Sequence, residues 1–368
     1  HVVAGAIDAK SAHTHGHCQR VPEIAQMLAK AAHSSTDGRF ADFHLSDDEW
    51  FELHIASWLH DCGKVTTPEY VVDKATRLET IYNRIHEVRT RFEVLWRDAW
   101  IDYYRALSNT PDDQERLWNR LETRLNQIRS DFEFVAECNS GETVMDEKRI
   151  IRLREIGVQE WKRHLDDRLG LSHEELERKR RRPAPQLPVL EPLLANQPEH
   201  IIERPSAPFG ENRHGFKMAV PENLYDLGEL HNLSTARGTL TDEERFKINE
   251  HIVQTINMLG RLPFPKELRR VPEWAGNHHE KLDGTGYPRR LSAEDLTTPE
   301  RIMAIADVFE ALTAADRPYK PPKTLSQSLR IMSFFRDDGH ICPELFELFL
   351  TSGVYLDYET QHLSLIHI

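Results

Sequence analysis

Cysteine is scarce in this chain of 368 residues: there are four, at positions 18, 62, 138 and 342. Their separations show no paired spacing, so no disulfide framework is expected and the four read as unbridged thiols of a reducing compartment. Long apolar runs are also missing. Nothing approaches the roughly 20 residues that a membrane-spanning helix needs. Positive charge is in deficit, with Lys and Arg totalling 47 against 60 for Asp and Glu, a formal net charge of -13. That balance counts against sequence-nonspecific nucleic-acid binding, which needs broad positive surface. It also means that any anionic ligand must be attracted by local cations. With 39% hydrophobic and 29% charged residues, the chain has the apolar material for a core and the surface of a water-exposed globular protein, and its length allows two domains.

Histidine is plentiful, at 20 residues, and several sit where packing alone does not account for them. Residues 277–288 read NHHEKLDGTGYP, two adjacent histidines and a carboxylate ahead of a glycine-rich turn. A second concentration is His60-Asp61, within WLHDCGK at 58–64. Imidazole nitrogen and carboxylate oxygen are ligands of borderline divalent metals, and a carboxylate can bridge two ions. His13 and His17 stand four apart in a stretch that continues through Val21, Ile24, Leu28 and Ala31 at helical spacing, which puts both imidazoles on one helix face. Thr241 and Glu244 predict a capping box opening a helix with Phe246, Ile248, Ile252, Ile256 and Leu259 on it and His251 near its middle. Asp307 is expected on a helix capped by Thr298, with Pro299 at its first position. Its neighbours Ile302, Ala306, Val308, Phe309 and Leu312 are apolar, and an ionised carboxylate is costly to bury there without a cation or several donors. Isolated histidines such as His33, His44, His54 and His86 read as ordinary surface or hydrogen-bonded residues.

The order H…HD…H…HH…D, closed by Gly286-Tyr287-Pro288, resembles the HD-GYP family of the HD phosphohydrolase superfamily. The resemblance covers about residues 1–74 and 232–368. It rests on three separated motifs in the right order: HDCGK (60–64), HHEKLDGTGYP (278–288) and ADVFEALTAADRPYK (306–320). It implies an all-α, HD-type helical bundle and a metal-dependent phosphodiesterase of bacterial second-messenger signalling. Such an enzyme opens cyclic di-GMP to linear pGpG, and in some members continues to GMP. The resemblance further implies His17, His60, Asp61, His251, His278, His279 and Asp307 as ligands of two divalent ions, iron or manganese more often than zinc, with Asp61 bridging them. Members with a third ion usually have glutamate four residues before the first histidine. This chain has His13 there, which brings no negative charge, so two ions are expected and a third would be held less firmly.

By the same resemblance Asp61 and Lys64 are the catalytic pair, and Lys64, Arg317 and Lys320 hold the substrate phosphates. The arginine fork and the lysine point charge suit a dianionic cyclic dinucleotide. The loop with Tyr287 and Pro288 shapes the site and offers a surface to a protein partner, with no catalytic role for Tyr287. The chain opens on His1, already inside the helix-and-ligand pattern, and reads as part of a longer protein. Relatives carry sensory or membrane-anchored modules upstream, so a cytoplasmic location is expected for this part even where the full protein is anchored. The closing LSLIHI lacks the polar finish of a domain and is expected to be truncated or foreign.

Between 75 and 231 the chain departs most from the family, and three parts are expected: 1–74 and 232–368 as the halves of the catalytic domain, and 75–231 as an insertion. Leu78, Ile81, Ile85, Val88, Phe92, Leu95 and Ala99 alternate by three and four, a heptad seam. A second helix carries Leu117, Leu121, Leu125, Ile128, Phe132 and Val135, and Asn109-Thr-Pro-Asp-Asp113 breaks the two into an αα-hairpin, coiled-coil-like in pattern. A third helix is expected near 146–169, with Ile150, Leu153, Trp161 and Leu165. After it, ERKRRRP (177–183) and the prolines up to 208 predict an extended linker without regular packing.

Two other readings remain beside hydrolysis of cyclic di-GMP. One is a hydrolase of another cyclic dinucleotide or phosphoester. The other is a non-catalytic sensor signalling through the GYP loop and the helical arm, against which the nearly complete ligand set argues. The seam, with Trp96, Trp100, Tyr103 and Tyr104, predicts that the arm dimerises the protein. Replacing 79–230 by a short linker should therefore leave some hydrolysis while changing the oligomeric state, read by light scattering as measured mass divided by chain mass; an unchanged oligomeric state contradicts dimerisation through the arm.

Overall fold

The computed structural model describes residues 5, 16–36, 38–314 and 323–362. His13, Arg317 and Lys320 lie outside the described residues. Helices form almost all of the regular structure, and the strands are confined to two two-stranded antiparallel sheets. The all-α class with a helical insertion is what the chain adopts. None of the four cysteines is in a disulfide, and no described helix is long and apolar enough to cross a membrane. The chain divides into two compact units, one of residues 1–73, 207–220 and 246–368, the other of residues 74–206 and 221–245.

The first unit is built around the helix Thr298–Thr313, whose Ile302, Met303, Ile305, Ala306 and Phe309 are fully buried. They share a core with Val21, Ile24, Ala25 and Leu28 of the helix His17–His33. The Phe309 ring meets Phe349 and Tyr358 edge-on at 4.9 and 5.6 Å. Each large side chain buried this way contributes about 1.5–3 kcal/mol. The cap of the central helix is Thr297 and not the expected Thr298. A capping box needs Glu or Gln three residues on; from 297 that residue is Glu300, whereas from 298 it is Arg301. The backbone N–H and hydroxyl of Thr297 both donate to Glu300, at 2.6 and 2.7 Å.

The Thr241–Glu244 capping box is present, but the helix it opens ends at Asn249 and a new one, His251–Leu259, begins. His251 is therefore the first residue of a helix and not its middle. The backbone stays helical through Glu250, at φ -61 and ψ -18, so the break is slight, and the His251 imidazole bonds across it to Ile248 O at 2.6 Å.

The second unit holds the expected hairpin: helices Ile85–Asn109 and Gln114–Asn139, turned by Pro111–Asp113. Ile85, Val88, Phe92 and Leu95 are buried on one helix, and Leu117, Leu121, Ile128 and Val135 on the other. Ile81 is 89% exposed, because the helix starts four residues after it. The third helix runs only from Glu147 to Gly157, short of the expected 169, and Leu165 is exposed. Trp161 lies instead in a strand, Glu160–Arg163, paired antiparallel with Val189–Pro192. A second pair joins Ile201–Glu203 to Asn223–Asp226.

The stretch expected to be an unpacked linker thus carries strands, and Leu193 and Leu194 in it are buried. Its basic run is pinned by carboxylates. Lys179 contacts Asp167 at 2.5 Å and Glu199 at 2.8 Å, and Arg182 contacts Glu199 at 2.8 Å. Arg77, fully buried, ties the base of the hairpin to the loop beyond it through Cys138 O (2.6 Å), Ser140 O (2.9 Å) and Thr143 O (2.5 Å). Bonds from a charged donor are the strong ones, and leaving Cys138 O and Thr143 O without this donor compounds their loss. Arg77→Met should destabilise the second unit by about 3 kcal/mol, read as a lower urea midpoint; an unchanged midpoint would show that solvent replaces the guanidinium at no cost.

Candidate metal centre

Five segments of the first unit bring their polar ends together. His17 opens its helix. His60 closes the helix Asp47–Leu59, itself started by a Ser46–Glu49 capping box, and Asp61 follows just before the 3-10 turn Cys62–Thr66. His251 opens the helix His251–Leu259, His278 and His279 follow the short helix Val271–Gly276, and Asp307 sits within Thr298–Thr313. His17 Nε2 is 3.1 Å from Asp61 Oδ2, 3.2 Å from Asp307 Oδ1 and 3.3 Å from His60 Nε2. His251 Nε2 is 3.1 Å from Asp61 Oδ1, and His279 Nδ1 is 3.9 Å from Asp307 Oδ2. The His278 ring lies 4.8 Å from that of His60 and 4.2 Å from that of His279. Three groups have ligand atoms all within 4.8 Å of one another: His251, His278 and His279; His17, His60 and Asp307; and His60, Asp61 and His278. All of these side chains are buried except that of His279, which is 24% exposed.

The outer nitrogens explain which way the inner ones face. Nδ1 of His60, His251 and His278 each lies against the backbone carbonyl three residues earlier, Ser57 O at 2.6 Å, Ile248 O at 2.6 Å and Ala275 O at 2.7 Å. A carbonyl only accepts, so each Nδ1 carries the hydrogen and each Nε2 presents a lone pair to the interior. His17 Nδ1 is likewise taken, by the Glu310 carboxylate. His17 and His60 therefore point nitrogens at one another, and Asp61 Oδ1, His251 Nε2 and His278 Nε2 are buried without a hydrogen-bond partner. Buried acceptors facing acceptors are costly unless a cation lies among them. Imidazole and carboxylate without thiolate is a donor set that divalent metals accept.

The charges follow the same logic. Burial opposes a charge on His17, yet Asp307, Asp61 and Glu310 hold its pKa well above the ordinary histidine value, so in the absence of a metal a proton takes the cation's part. Burial and the neighbouring His60 push His278 down to about 3, and burial with His278 depresses His279 strongly, so both stay neutral. Burial opposes the charge on Asp61, but Lys64 and His60 hold it well below the usual carboxylate range. His17 and His279 do the same for Asp307. Burial lifts the Cys62 thiol to about 11, and Cys62 belongs to none of the three ligand groups. Lys64 Nζ is 2.5 Å from Asp61 Oδ2.

Of the residues singled out in the sequence, His17, His60, Asp61, His251, His278, His279, Asp307 and Lys64 converge here. Thr255 and Glu310 were not singled out there, and Tyr287 was expected only to shape the site through its loop. Thr255 accepts from Gly63 N–H at 3.0 Å and donates to His60 O at 3.1 Å, clipping the His-Asp turn to the facing helix. Tyr287 stacks on His279 at 4.9 Å and 27°, holding a ring that has no carbonyl anchor among its hydrogen bonds. Glu310 repeats the carboxylate of Asp307 one turn later on the same helix, a spacing that was the available signal.

Residues 188–345 match the model of the HD domain. That stretch takes in His251, His278, His279 and Asp307; the geometry adds His17, His60 and Asp61 to them. The chain is 38% identical over 133 residues to a 3'3'-cGAMP-specific phosphodiesterase of Vibrio cholerae, covering 35% of this chain and 30% of that protein. It is 33% identical over 140 residues to a cyclic di-GMP phosphodiesterase of Pseudomonas aeruginosa, covering 38% and 30%. With a cyclic di-GMP phosphodiesterase of Thermotoga maritima the identity is 34% over 137 residues, 36% of each. The chain spans about a third of the length of these curated relatives.

At Gly63 the His-Asp turn lies directly against the backbone of His251–Leu259, since a Cβ there would lie 1.9 Å from His251 O and 2.6 Å from Thr255 N. The glycine is thus required by backbone approach and not only as a helix stop. Gly63→Ala should push Asp61 away from His251 and, if the cluster holds a divalent ion, abolish the rise in melting temperature expected on adding Mn²⁺ to the unaltered protein by mass action. A full Mn²⁺ response in that variant would contradict the stated approach.

Proposed function

With an HD-domain match over residues 188–345 and a buried cluster of imidazoles and carboxylates completed by His17, His60 and Asp61, we propose that this chain is the catalytic part of a metal-dependent phosphodiesterase acting on a cyclic dinucleotide, with cyclic di-GMP its substrate and pGpG its first product. The supporting observation is that Asp61 Oδ1, His251 Nε2 and His278 Nε2 are buried without a hydrogen-bond partner inside a cluster of imidazoles and carboxylates. HD-domain phosphohydrolases are metal-dependent, and divalent ions held here would screen phosphate oxygens and acidify a water. We assign the ligands as His17, His60, Asp61, His251, His278, His279 and Asp307, the number of ions as two, and the metal as iron or manganese.

The chain's own residues do the rest. The carbonyls of Ser57, Ile248 and Ala275 hold three imidazoles in one tautomer before any ligand arrives, so little reorganisation is needed. Asp61 offers Oδ2 to His17 and His60 and Oδ1 to His251, and would be the carboxylate shared by the ions if two are held. Lys64, seated on Asp61, is placed to turn its ammonium to a phosphate oxygen once Asp61 serves a cation. Arg317 and Lys320 are assigned to the substrate phosphates from the sequence motif. Dimerisation through the helical arm, a protein partner at the GYP loop and a cytoplasmic location belong to the same proposal, as does the division into catalytic halves around an insertion.

The similar proteins named for 3'3'-cGAMP and for cyclic di-GMP make the base the point to test. Incubated with Mn²⁺ or Fe²⁺ under reducing conditions, the chain should release pGpG from cyclic di-GMP faster than it opens 3'3'-cGAMP. His60→Ala combined with Asp61→Ala should lower turnover by about 10³-fold or more. Faster opening of 3'3'-cGAMP would change the substrate while keeping the chemistry. Tight binding without turnover in the metal-loaded chain would replace hydrolysis by sensing.

A further inference from the structure

Three of the four inward-facing imidazoles with a fixed outer nitrogen are anchored identically, on the carbonyl three residues back. His17 is the exception. It is the first residue of its helix, preceded by Gly16 at φ 77, so among the described residues no helical turn before it supplies such a carbonyl. Its Nδ1 is held instead by Glu310, a carboxylate from the helix Thr298–Thr313 that is 1% exposed. The other oxygen of Glu310 is clamped by Arg20, three residues after His17, through Nε at 2.7 Å and the guanidinium NH2 at 2.6 Å. The carboxylate is thereby fixed in place and its charge compensated before it meets the imidazole.

We propose that Glu310 is a positioning residue that governs one of the two ions selectively, the one on the side of His17, His60 and Asp307, and leaves the His251, His278 and His279 side alone. The inference rests on the metal-centre reading and deepens it. A carboxylate accepting from Nδ1–H locks the ring and makes Nε2 a stronger donor than a carbonyl partner does. The two ions are therefore bound unequally by construction. Arg20 sets how much of the Glu310 charge reaches His17, because it shares the same carboxylate.

The test is a titration of the whole chain with Mn²⁺ in competition with a chelator, supported by the visible absorption of the Co²⁺-loaded protein. The unaltered chain should show two binding steps. Glu310→Gln, similar in volume but no longer an anion able to accept from both His17 and Arg20, should weaken one step by about 10- to 100-fold, leave the other in place, and change the Co²⁺ bands of the weakened site. Arg20→Lys keeps a charge but not the two-pronged clamp and should weaken the same step by less, which keeps the idea testable if Glu310→Gln folds poorly. Glu52→Gln is the control for a merely structural loss. Glu52 is a buried carboxylate bonded to Arg270, and its loss should lower the melting temperature while sparing both steps. Unchanged Mn²⁺ steps in Glu310→Gln, or an equal weakening of both steps, would overturn the proposal while leaving the metal centre standing. No Mn²⁺ binding by the unaltered chain would remove the metal centre itself.

Discussion

The anchoring of imidazole Nδ1 atoms is the constraint on which the rest of the first unit depends. Once the Nδ1 atoms of His17, His60, His251 and His278 are committed to acceptors outside the cluster, their Nε2 atoms face inward, where they meet carboxylates and one another. Each unsatisfied buried acceptor costs about 1–3 kcal/mol, so the surroundings must be stable enough to carry several at once. That support comes from the apolar face of Thr298–Thr313 against His17–His33, and from close backbone approaches such as Gly63 on His251. Local instability at the centre and a firm shell around it are two sides of one arrangement, and metal binding would convert the first into stabilisation.

Charge at the centre runs against the charge of the whole. The protein carries a formal -13, and the cluster adds Asp61, Asp307 and Glu310 in near-complete burial. Without a metal that density is met by the raised His17, by Lys64 on Asp61 and by Arg20 on Glu310. The dianionic substrate proposed for this chain would gain little at long range, so its attraction would have to come from cations held in the cluster and from the few basic side chains at the site. The low basicity of His278 and His279 has the same root, since burial and crowding by other imidazoles keep them neutral and available as ligands.

Much of the site was legible in the sequence because adjacent ligands such as His60-Asp61 and His278-His279 stand out against their neighbours. So was the hairpin, whose Thr-Pro-Asp-Asp break coincides with the turn Pro111–Asp113. Features set by distant partners were not. Glu310 in an apolar helix gives no sign that His17 and Arg20 will meet it, and Thr255 matters only because Gly63 comes within its reach. The stretch rich in proline and arginine resembled a linker because its order comes from Asp167 and Glu199 and from pairing with Glu160–Arg163, none of which is local. The end of the third helix, by contrast, has a local cause in Gly157. The shift of the cap from Thr298 to Thr297 was decided by Glu300, three residues on.

X-ray absorption at the manganese edge of the metal-loaded chain tests the central claim most directly, because it reports which atoms surround the ion. The expected spectrum has a shell of nitrogen and oxygen only, with the multiple scattering of several imidazoles and no sulfur. A shell without imidazole scattering, or manganese that washes away from the folded protein, would contradict the placement of a metal among these histidines.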